Sequence, residues 1–342
     1  MRARRKAIAV LVALASACLA VSGEVCAEEI TLYSTREAAL VEPVVASFTE
    51  ASGIKVNVVF VEDSLVKRLV SEGETSPADV LLTIGLDKTT QLPSRALTQA
   101  FASPTIEQAI PANLRSAGAQ WLALAARPRV VFAHKDNALA AIDYEDLADP
   151  RWRGKLCMRS ILHQNNVAMV AAYLTHHGEA ATETWLAGLK ANLAHKPSGK
   201  DNDVIREIVQ GTCEIGIGNT VALAQLRDGR EGADWRAWAM EVKAVPTSFR
   251  SGGTHVNLTG AAIAKHAPHP AAARGFLEFL VTPAAQRSFA AAELEYPVLA
   301  TAERAPILTD IGAFTSDTMP IDQIAAHQQA AVALIKKVGL NE

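Results

Sequence analysis

The sequence has 342 residues, of which 49% are apolar and 20% are charged, and its formal net charge is −3. This is the composition of a globular protein with a sizeable core, and it excludes disordered and collagen-like chains. A prior of about 150 residues per domain predicts two domains with a cleft between them. A pI of about 6.3 and few aromatic residues argue against a nucleic-acid partner. Proteins that bind nucleic acids neutralise phosphates with basic side chains and stack aromatic side chains on bases.

The first 27 residues have the pattern of a secretory signal. They begin with four basic residues, Arg2, Arg4, Arg5 and Lys6, ahead of an apolar run over 7–21. This run is too short for a comfortable membrane span, which takes about 20 apolar residues. We predict cleavage after Ala27, export to the periplasm and a soluble mature protein. Lipoprotein processing at Cys18 is the alternative.

Two cysteines, Cys157 and Cys213, remain after this cleavage. In an oxidising compartment such a pair predicts one disulfide, which stabilises a loop of this length by about 4 kcal/mol in the chain-entropy model. Two buried free thiols are the alternative. The sequence has no CxxC motif and no Cys/His spacing typical of a zinc site.

The mature chain alternates strands and helices, as α/β proteins do. Strands are predicted over 30–35, 55–61 and 79–84, with helices over 36–50 and 64–72. Further along, the pattern predicts strands over 129–134, 213–218 and 255–264, helices over 167–177, 179–193, 203–210, 220–227 and 321–338, two helices around Phe276 and Phe289, and a linker over 296–306. Ligands of such folds bind at the carboxyl ends of strands.

The sequence carries no recognisable catalytic motif. It contains no GxSxG, HExxH, Walker or dinucleotide-binding glycine pattern, and its nine histidines are scattered. His176 and His177 end a predicted helix, where they complement the helix dipole. We therefore expect a binding protein with no cofactor. A hydrolase whose triad is assembled only by the fold is the alternative.

Several short segments, in order along nearly the whole mature chain, carry a family resemblance. The main ones are LYSTR at 32–36, SPADVLLT at 76–83, DPRWRGK at 149–155 and GTHVNLTG at 253–260, supported by RPRV at 127–130, CMRS at 157–160, GTCEI at 211–215, FLEFL at 276–280 and EYPV at 295–298. Together they resemble the periplasmic ferric-iron-binding proteins of ABC importers.

This resemblance implies an α/β, two-lobed periplasmic-binding-protein type II fold with a hinge of crossing strands. We place lobe 1 at 28–126 plus 253–302 and lobe 2 at 127–252 plus 303–342. The resemblance also implies a monomer that delivers its ligand to an ABC permease in the inner membrane.

The chain departs from the family at the positions of the iron ligands. The family holds Fe(III) mainly through tyrosine phenolates. At the corresponding positions this chain has Glu37, Ala38, Asn165, Val221, Ala222 and Leu223. Of its four tyrosines, only Tyr33 lies in a motif that faces the cleft. We therefore expect no metal site of the family's kind.

What remains is a set of residues suited to an anion. Strand ends and helix starts favour negative groups, and arginine binds carboxylates and phosphates through two parallel hydrogen bonds. The predicted ligand-binding residues are Tyr33, Ser34, Thr35, Arg36, Arg127, Arg129, Asn165, Asn219 and Thr220. Arg159 and His163 are further candidates. For Arg36 in particular, an ion pair within one lobe is the competing interpretation.

The resulting prediction is a periplasmic solute-binding protein whose lobes close on a small anionic ligand. The ligand is an iron chelate or a phosphorylated or carboxylated compound. One alternative is a ferric iron carrier that uses Glu37, Asn165 and a synergistic carbonate. A second alternative is a periplasmic sensor that presents the closed form to a receptor kinase.

Overall fold

The structure, a computed structural model, describes residues 29–62 and 64–341, so the predicted signal over 1–27 lies outside the described residues. The strands are β1 (Glu29–Ser34), β2 (Lys55–Phe60), β3 (Val80–Ile84), β4 (Thr98–Gln99), β5 (Leu122–His134), β6 (Ile142–Asp143), β7 (Leu156–Met158), β8 (Ile215–Asn219), β9 (Val242–Val245), β10 (Thr247–Ser248), β11 (Val256–Ala264) and β12 (Tyr296–Pro297). The helices are α1 (Ala38–Ser52), α2 (Leu65–Glu72), α3 (Leu86–Ser94), α4 (Pro104–Ala109), α5 (Gln164–His177), α6 (Glu179–Asn192), α7 (Asp201–Val209), α8 (Thr220–Arg227), α9 (Ala233–Met240), α10 (Pro270–Leu280), α11 (Pro283–Glu293), α12 (Pro306–Ile311), α13 (Ile321–Ala326) and α14 (Gln328–Val338).

Strand β5 belongs to two sheets. Its first half pairs antiparallel with β11 and β12, and its second half, from Arg129 onward, pairs antiparallel with β8 and β9. The strand order along the whole path is β2-β1-β3-β11-β5-β8-β7. The predicted α/β fold, with two lobes joined by crossing strands, is therefore confirmed. The residue ranges assigned to each lobe stay a prediction.

The first lobe is built from βαβ units. β1 lies between β2 and β3, and both neighbours run parallel to it. Helix α1 buries Val41, Val44, Val45 and Phe48, which have the spacing of one helix face. Phe48 packs edge-on against Phe276 of α10, with ring centroids 4.9 Å apart. Because the strands are parallel, the carboxyl ends of β1 and β3 lie at the same edge of the sheet.

The second lobe contains the predicted disulfide. β7 and β8 run parallel to each other, and α7 packs against them. Cys157 in β7 is bonded to Cys213, which precedes β8, with 5.8 Å between their Cα atoms. The predicted link is confirmed. No helix in the described part of the chain is long and apolar enough to cross a membrane.

Two of the predicted elements differ most clearly from the structure. The strand predicted over 129–134 begins at Leu122, because Pro128 interrupts the apolar run at the point where β5 changes pairing partners without ending the strand. The helix predicted over 321–338 is two helices that break at His327. The reason lies in packing: α13 lies against α3 and α5, whereas α14 lies against α5 and α6.

Candidate ligand-binding cleft

Asn257 of β11 lies where the two lobes meet. Its buried Nδ2 is 3.4 Å from Asn219 Oδ1 and 3.5 Å from the carbonyl oxygen of Asn165, both in the second lobe. The carbonyl of the next residue accepts a hydrogen bond of 2.9 Å from the N–H of Gly85. A Cβ on Gly85 would lie 3.1 Å from Gln164 Nε2, so the first lobe touches the second here as well.

Three helices begin at this meeting point. Helix α3 follows Gly85, α5 follows His163 and α8 follows Asn219. The first backbone N–H groups of a helix have no partner within the helix and carry partial positive charge, so they attract negative groups. The buried hydroxyl of Thr220, at the start of α8, has no hydrogen-bond partner among the described residues. Both features favour an acceptor-rich, anionic ligand.

Arg129 holds the start of α8 in place. Its buried Nη1 is 2.7 Å from Asp201 Oδ2, and its Nη2 donates to Asn166 Oδ1 at 2.5 Å. The same carboxylate oxygen of Asp201 accepts a hydrogen bond of 2.9 Å from the backbone N–H of Asn219. Burial opposes ionisation of Asp201, but Arg129 and this N–H together hold its pKa below the usual value. Arg129 therefore fixes the position of the start of α8 through Asp201.

Glu295 neutralises Arg36 inside the first lobe. Arg36 is buried, and its Nη2 is 2.6 Å from Glu295 Oε2. The guanidinium also lies 4.4 Å above the ring of Phe289. Burial works against ionisation of Glu295, but Arg36 and Arg127 hold its pKa below the usual value. The surroundings of Arg36 agree with the competing interpretation, an ion pair within one lobe. Its role as a ligand contact stays a prediction.

Arg127 and Arg159 are paired less closely with carboxylates than Arg36 and Arg129 are. Their side chains are 18% and 20% exposed. Arg127 Nε is 3.3 Å from Glu295 Oε1, and Arg159 Nη1 is 3.9 Å from Asp201 Oδ1. Arg159 Nε is buried and makes no hydrogen bond to any described residue. Each carboxylate is already paired more closely with another arginine, so Arg127 and Arg159 remain only partly neutralised.

His163 lies in the positive field of three arginines. Burial, followed by the charge of Arg159, lowers the pKa of His163 to about 4, and Arg129 and Arg127 act in the same direction. Nδ1 of this neutral ring accepts a hydrogen bond of 3.2 Å from the N–H of Asn165. The proton therefore resides on Nε2, where it is a hydrogen-bond donor.

Residues 30–292 match the family described as bacterial extracellular solute-binding protein. The chain belongs to this family. Iron uptake protein A1 of Synechocystis sp. is 33% identical over 315 residues, which cover 91% of this solute-binding protein and 87% of that relative. The match to the family confirms the expectation of a binding protein.

Solved structures agree with this assignment. The structure described as Bordetella ferric binding protein is 44% identical to this solute-binding protein, with a TM-score of 0.89, and covers 92% of this chain and 100% of that chain. A structure described as Trichodesmium (IdiA) (FutA) in complex with iron and citrate ligands is 33% identical, with a TM-score of 0.87, and covers 91% and 99%. The resemblance to periplasmic ferric-iron-binding proteins is confirmed by these relatives.

Three predicted site residues of this solute-binding protein make contacts within the first lobe. The Tyr33 hydroxyl donates to Glu72 Oε1 at 2.9 Å. Ser34 Oγ donates to the carbonyl oxygen of Arg36 at 2.6 Å, and Thr35 Oγ1 accepts from the N–H of Ile84 at 2.9 Å. Their roles as ligand contacts stay predictions. Thr35 also lines a cavity of about 160 Å³ whose other walls are Glu62, Leu65, Val66, Thr83, Asp87, Lys88 and Gln91.

All four tyrosines of this solute-binding protein lie among the described residues, and their surroundings disfavour phenolates. Burial raises the pKa of Tyr33, Tyr144 and Tyr296, and raises that of Tyr173 to about 12. The hydroxyls of Tyr144 and Tyr296 donate to backbone carbonyls, and the ring of Tyr173 stacks on Trp185. None of the four lies at the helix starts described above.

Asn165 and Asn219 lie beside Asn257, and Asn257 is the register partner of Arg127 in the pairing of β11 with β5. That Asn165, Asn219, Thr220 and Arg127 contact the ligand stays a prediction, whereas Asn257 and Gln164 were missed. An asparagine at the second position of a nine-residue strand that is buried throughout is the signal that points to Asn257. The amide is costly to bury without partners. Gln164 carries no such signal, because only the approach of the lobes places it beside Gly85.

Proposed function

We propose that this solute-binding protein serves a periplasmic ABC iron importer and that its cleft binds iron as a chelate with a carboxylate shell. The observation that carries the proposal is the pair of partly neutralised arginines, Arg127 and Arg159, beside three helix starts. A carboxylate or phosphate shell offers the acceptors that these donors lack. A small phosphorylated or carboxylated compound without iron has the same chemistry and is the second ligand class.

The relatives support iron as the cargo. Their names refer to iron uptake and ferric binding, and one of the similar structures is described with both iron and citrate. In this chain, the hydroxyls of Tyr33, Tyr144 and Tyr296 donate to other groups of the protein, and this argues against a site made of phenolates. A chelate supplies the hard oxygen ligands of iron from its own carboxylates, so the protein needs only to recognise the chelate's negative charge.

We propose that binding proceeds by lobe closure about the crossing strands. Asn165, Asn219 and Thr220 approach the ligand from the second lobe, and Arg127 and Asn257 from the strands that join the lobes. His163 donates its Nε2 proton to an acceptor of the ligand. The closed surface is then the form that an inner-membrane permease recognises.

Native mass spectrometry of protein isolated from its own periplasm, combined with metal analysis, tests this proposal. We expect one bound anionic molecule per chain and iron in the same ratio. An anionic molecule without iron would favour the second ligand class. Bound iron with carbonate and no organic anion would support a bare-iron carrier and contradict the proposal.

Calorimetry on ligand-free protein separates the ligand classes. The probes are ferric citrate, citrate alone, a sugar phosphate and ferric iron with bicarbonate. We expect ferric citrate to bind with one-to-one stoichiometry and more tightly than the other three. No measurable binding of any anionic probe would overturn the anion site.

A further inference from the structure

The side chains of His195 and Glu207, which are of types that bind metals, lie beside the disulfide. Cys157 Sγ is 3.6 Å from His195 Nε2, and this nitrogen is 3.2 Å from Glu207 Oε2. The ligand atoms of these three residues all lie within 4.8 Å of one another. Cys213 joins them because its sulfur is bonded to Cys157. Two sulfurs, one imidazole and one carboxylate are gathered in the second lobe, and none of them takes part in the cleft.

Backbone hydrogen bonds hold this cluster together. The residue before His195 donates its N–H to the carbonyl of the residue before Cys157 at 2.9 Å, and the residue before Cys213 donates to the carbonyl of Glu207, also at 2.9 Å. His195 Nδ1 is 2.8 Å from the carbonyl oxygen of Lys196. Donation from Nδ1 to that carbonyl leaves Nε2 as the coordinating nitrogen, the usual arrangement of metal-bound histidines.

In the disulfide form the sulfurs are not thiolates and do not bind a metal strongly. We propose that the dithiol form of the protein binds one Zn²⁺ through Cys157, Cys213, His195 and Glu207. A dithiol reductant supplies the two electrons and two protons that convert the disulfide to two thiols, and the reductant itself becomes a disulfide. Zinc binding then releases the two thiol protons to water.

The donor set and its spacing fit zinc. Structural zinc sites are tetrahedral, with Zn–S near 2.3 Å and Zn–N and Zn–O near 2.0 to 2.2 Å, so neighbouring ligand atoms are about 3.3 to 3.7 Å apart. The separations of 3.6 Å and 3.2 Å are close to these values. Thiolate and imidazole ligands favour zinc over magnesium, calcium or ferric iron. The metal would link β7, α7 and the segment before β8 when the disulfide is open.

Native mass spectrometry with added Zn²⁺ tests the site on protein purified from the periplasm. The protein is reduced anaerobically with a dithiol, and the reductant is then removed. We expect one zinc per reduced chain, with the loss of two protons, and none on the oxidised chain. Co²⁺ is a second probe, because a tetrahedral dithiolate site gives thiolate-to-cobalt charge-transfer bands and intense visible bands. Equal zinc binding by the oxidised and reduced chains would overturn the proposal.

Matched variants show whether all four side chains are ligands. In the reduced protein we expect His195→Ala and Glu207→Gln each to weaken zinc binding at least tenfold, and Cys157→Ser with Cys213→Ser to abolish it. His134→Ala is the control, because His134 Nε2 also lies near a carboxylate, 3.7 Å from Glu241, but with no cysteine. Unchanged affinity in His195→Ala and Glu207→Gln would contradict the four-ligand site.

Reduction itself can loosen the second lobe, so folding is followed by near-ultraviolet circular dichroism. If reduction lowers this signal, we expect stoichiometric zinc to restore it in the parent protein but not in Cys157→Ser/Cys213→Ser. A reduced chain whose signal stays low with zinc would overturn the proposal.

Discussion

Arg129 and Asp201 form a buried ion pair, with 2.7 Å between Nη1 and Oδ2, although 72 residues separate them in the chain. Asp201 also accepts the backbone N–H of Asn219, at the start of α8. The pair therefore joins the second half of β5 to a helix start that faces the cleft. Arg127, two residues earlier in the same strand, is partly exposed and pairs with a different carboxylate.

Breaking the Arg129–Asp201 pair is expected to destabilise the protein. Arg129→Met leaves Asp201 buried without its main counter-charge, which costs about 3 to 5 kcal/mol. Urea unfolding of the ligand-free protein measures this loss. The double variant Arg129→Met/Asp201→Leu should recover much of the stability, because no isolated charge remains. If Arg129→Met unfolds like the parent protein, the ion pair is not structural.

Arg127→Ala and Arg159→Ala are expected to weaken ligand binding. A charge-assisted hydrogen bond in a closed cleft contributes about 1.5 to 3 kcal/mol, so affinity for ferric citrate should fall roughly ten- to a hundredfold. Lysine at either position should recover only part of the loss. Arg250→Ala is the control, because Arg250 pairs with Asp143 and Asp146 at the surface. Calorimetry that shows parental affinity in both cleft variants would contradict the anion site.

Stability should fall with acidity because of His255. This ring is fully buried, neither of its nitrogens has a hydrogen-bond partner among the described residues, and burial lowers its pKa to about 3. Asp317 acts in the opposite direction, whereas Arg129 and His176 reinforce the lowering. The unfolded chain binds a proton at His255 below about pH 6.5 and the folded chain does not. The free energy of unfolding therefore rises with pH between about 3 and 6.5. The protein loses this stability as the pH falls through the same range.

The contribution of this one group reaches about 1.4 kcal/mol per pH unit near pH 5. Urea unfolding at several pH values between about 4.5 and 7.5 measures the slope. His255→Phe introduces an apolar ring of similar size and should reduce the slope of unfolding free energy against pH by close to one proton. The surface variant His134→Ala should change this slope less. An unchanged slope in His255→Phe would show that the ring is protonated in the folded state.

Ferric loading is expected to give no visible charge-transfer band from tyrosinate to iron. The Tyr33 hydroxyl donates to Glu72 within the first lobe, and the hydroxyls of Tyr144 and Tyr296 donate to backbone carbonyls. Absorption spectra during titration with ferric citrate and with ferric iron plus bicarbonate check this. Tyr33→Phe should lower stability by about 1 kcal/mol, because the hydrogen bond to Glu72 is lost. A strong stoichiometric colour that disappears in Tyr33→Phe would assign this tyrosine to the metal.

Local patterns in the sequence were sufficient for the six strands of five or more residues in the described part of the chain and for most of the helices. Short apolar runs bounded by turn residues mark β1, β3 and β8, and the terminal residues of α2 and α8 differ little from those predicted. Such signals are local, because the period of the apolar residues follows from the geometry of a single helix or strand. Motifs spread along the chain carried the family resemblance and hence the expected two-lobed fold. The pairing of Cys157 with Cys213 needed only cysteine counting and the compartment.

The tertiary structure decided which of the predicted site residues are closely paired within the protein and which are only partly neutralised. Arg127 and Arg129 are two residues apart and are alike in sequence, but Asp201 comes from a distant helix and neutralises only Arg129 closely. Likewise His195 and Glu207 have no motif spacing to Cys157, and the backbone hydrogen bonds around β7 and α7 bring them together. The physical reason is the same in both cases: the environment of a charged or coordinating side chain is set by partners remote in sequence, which a local pattern does not encode.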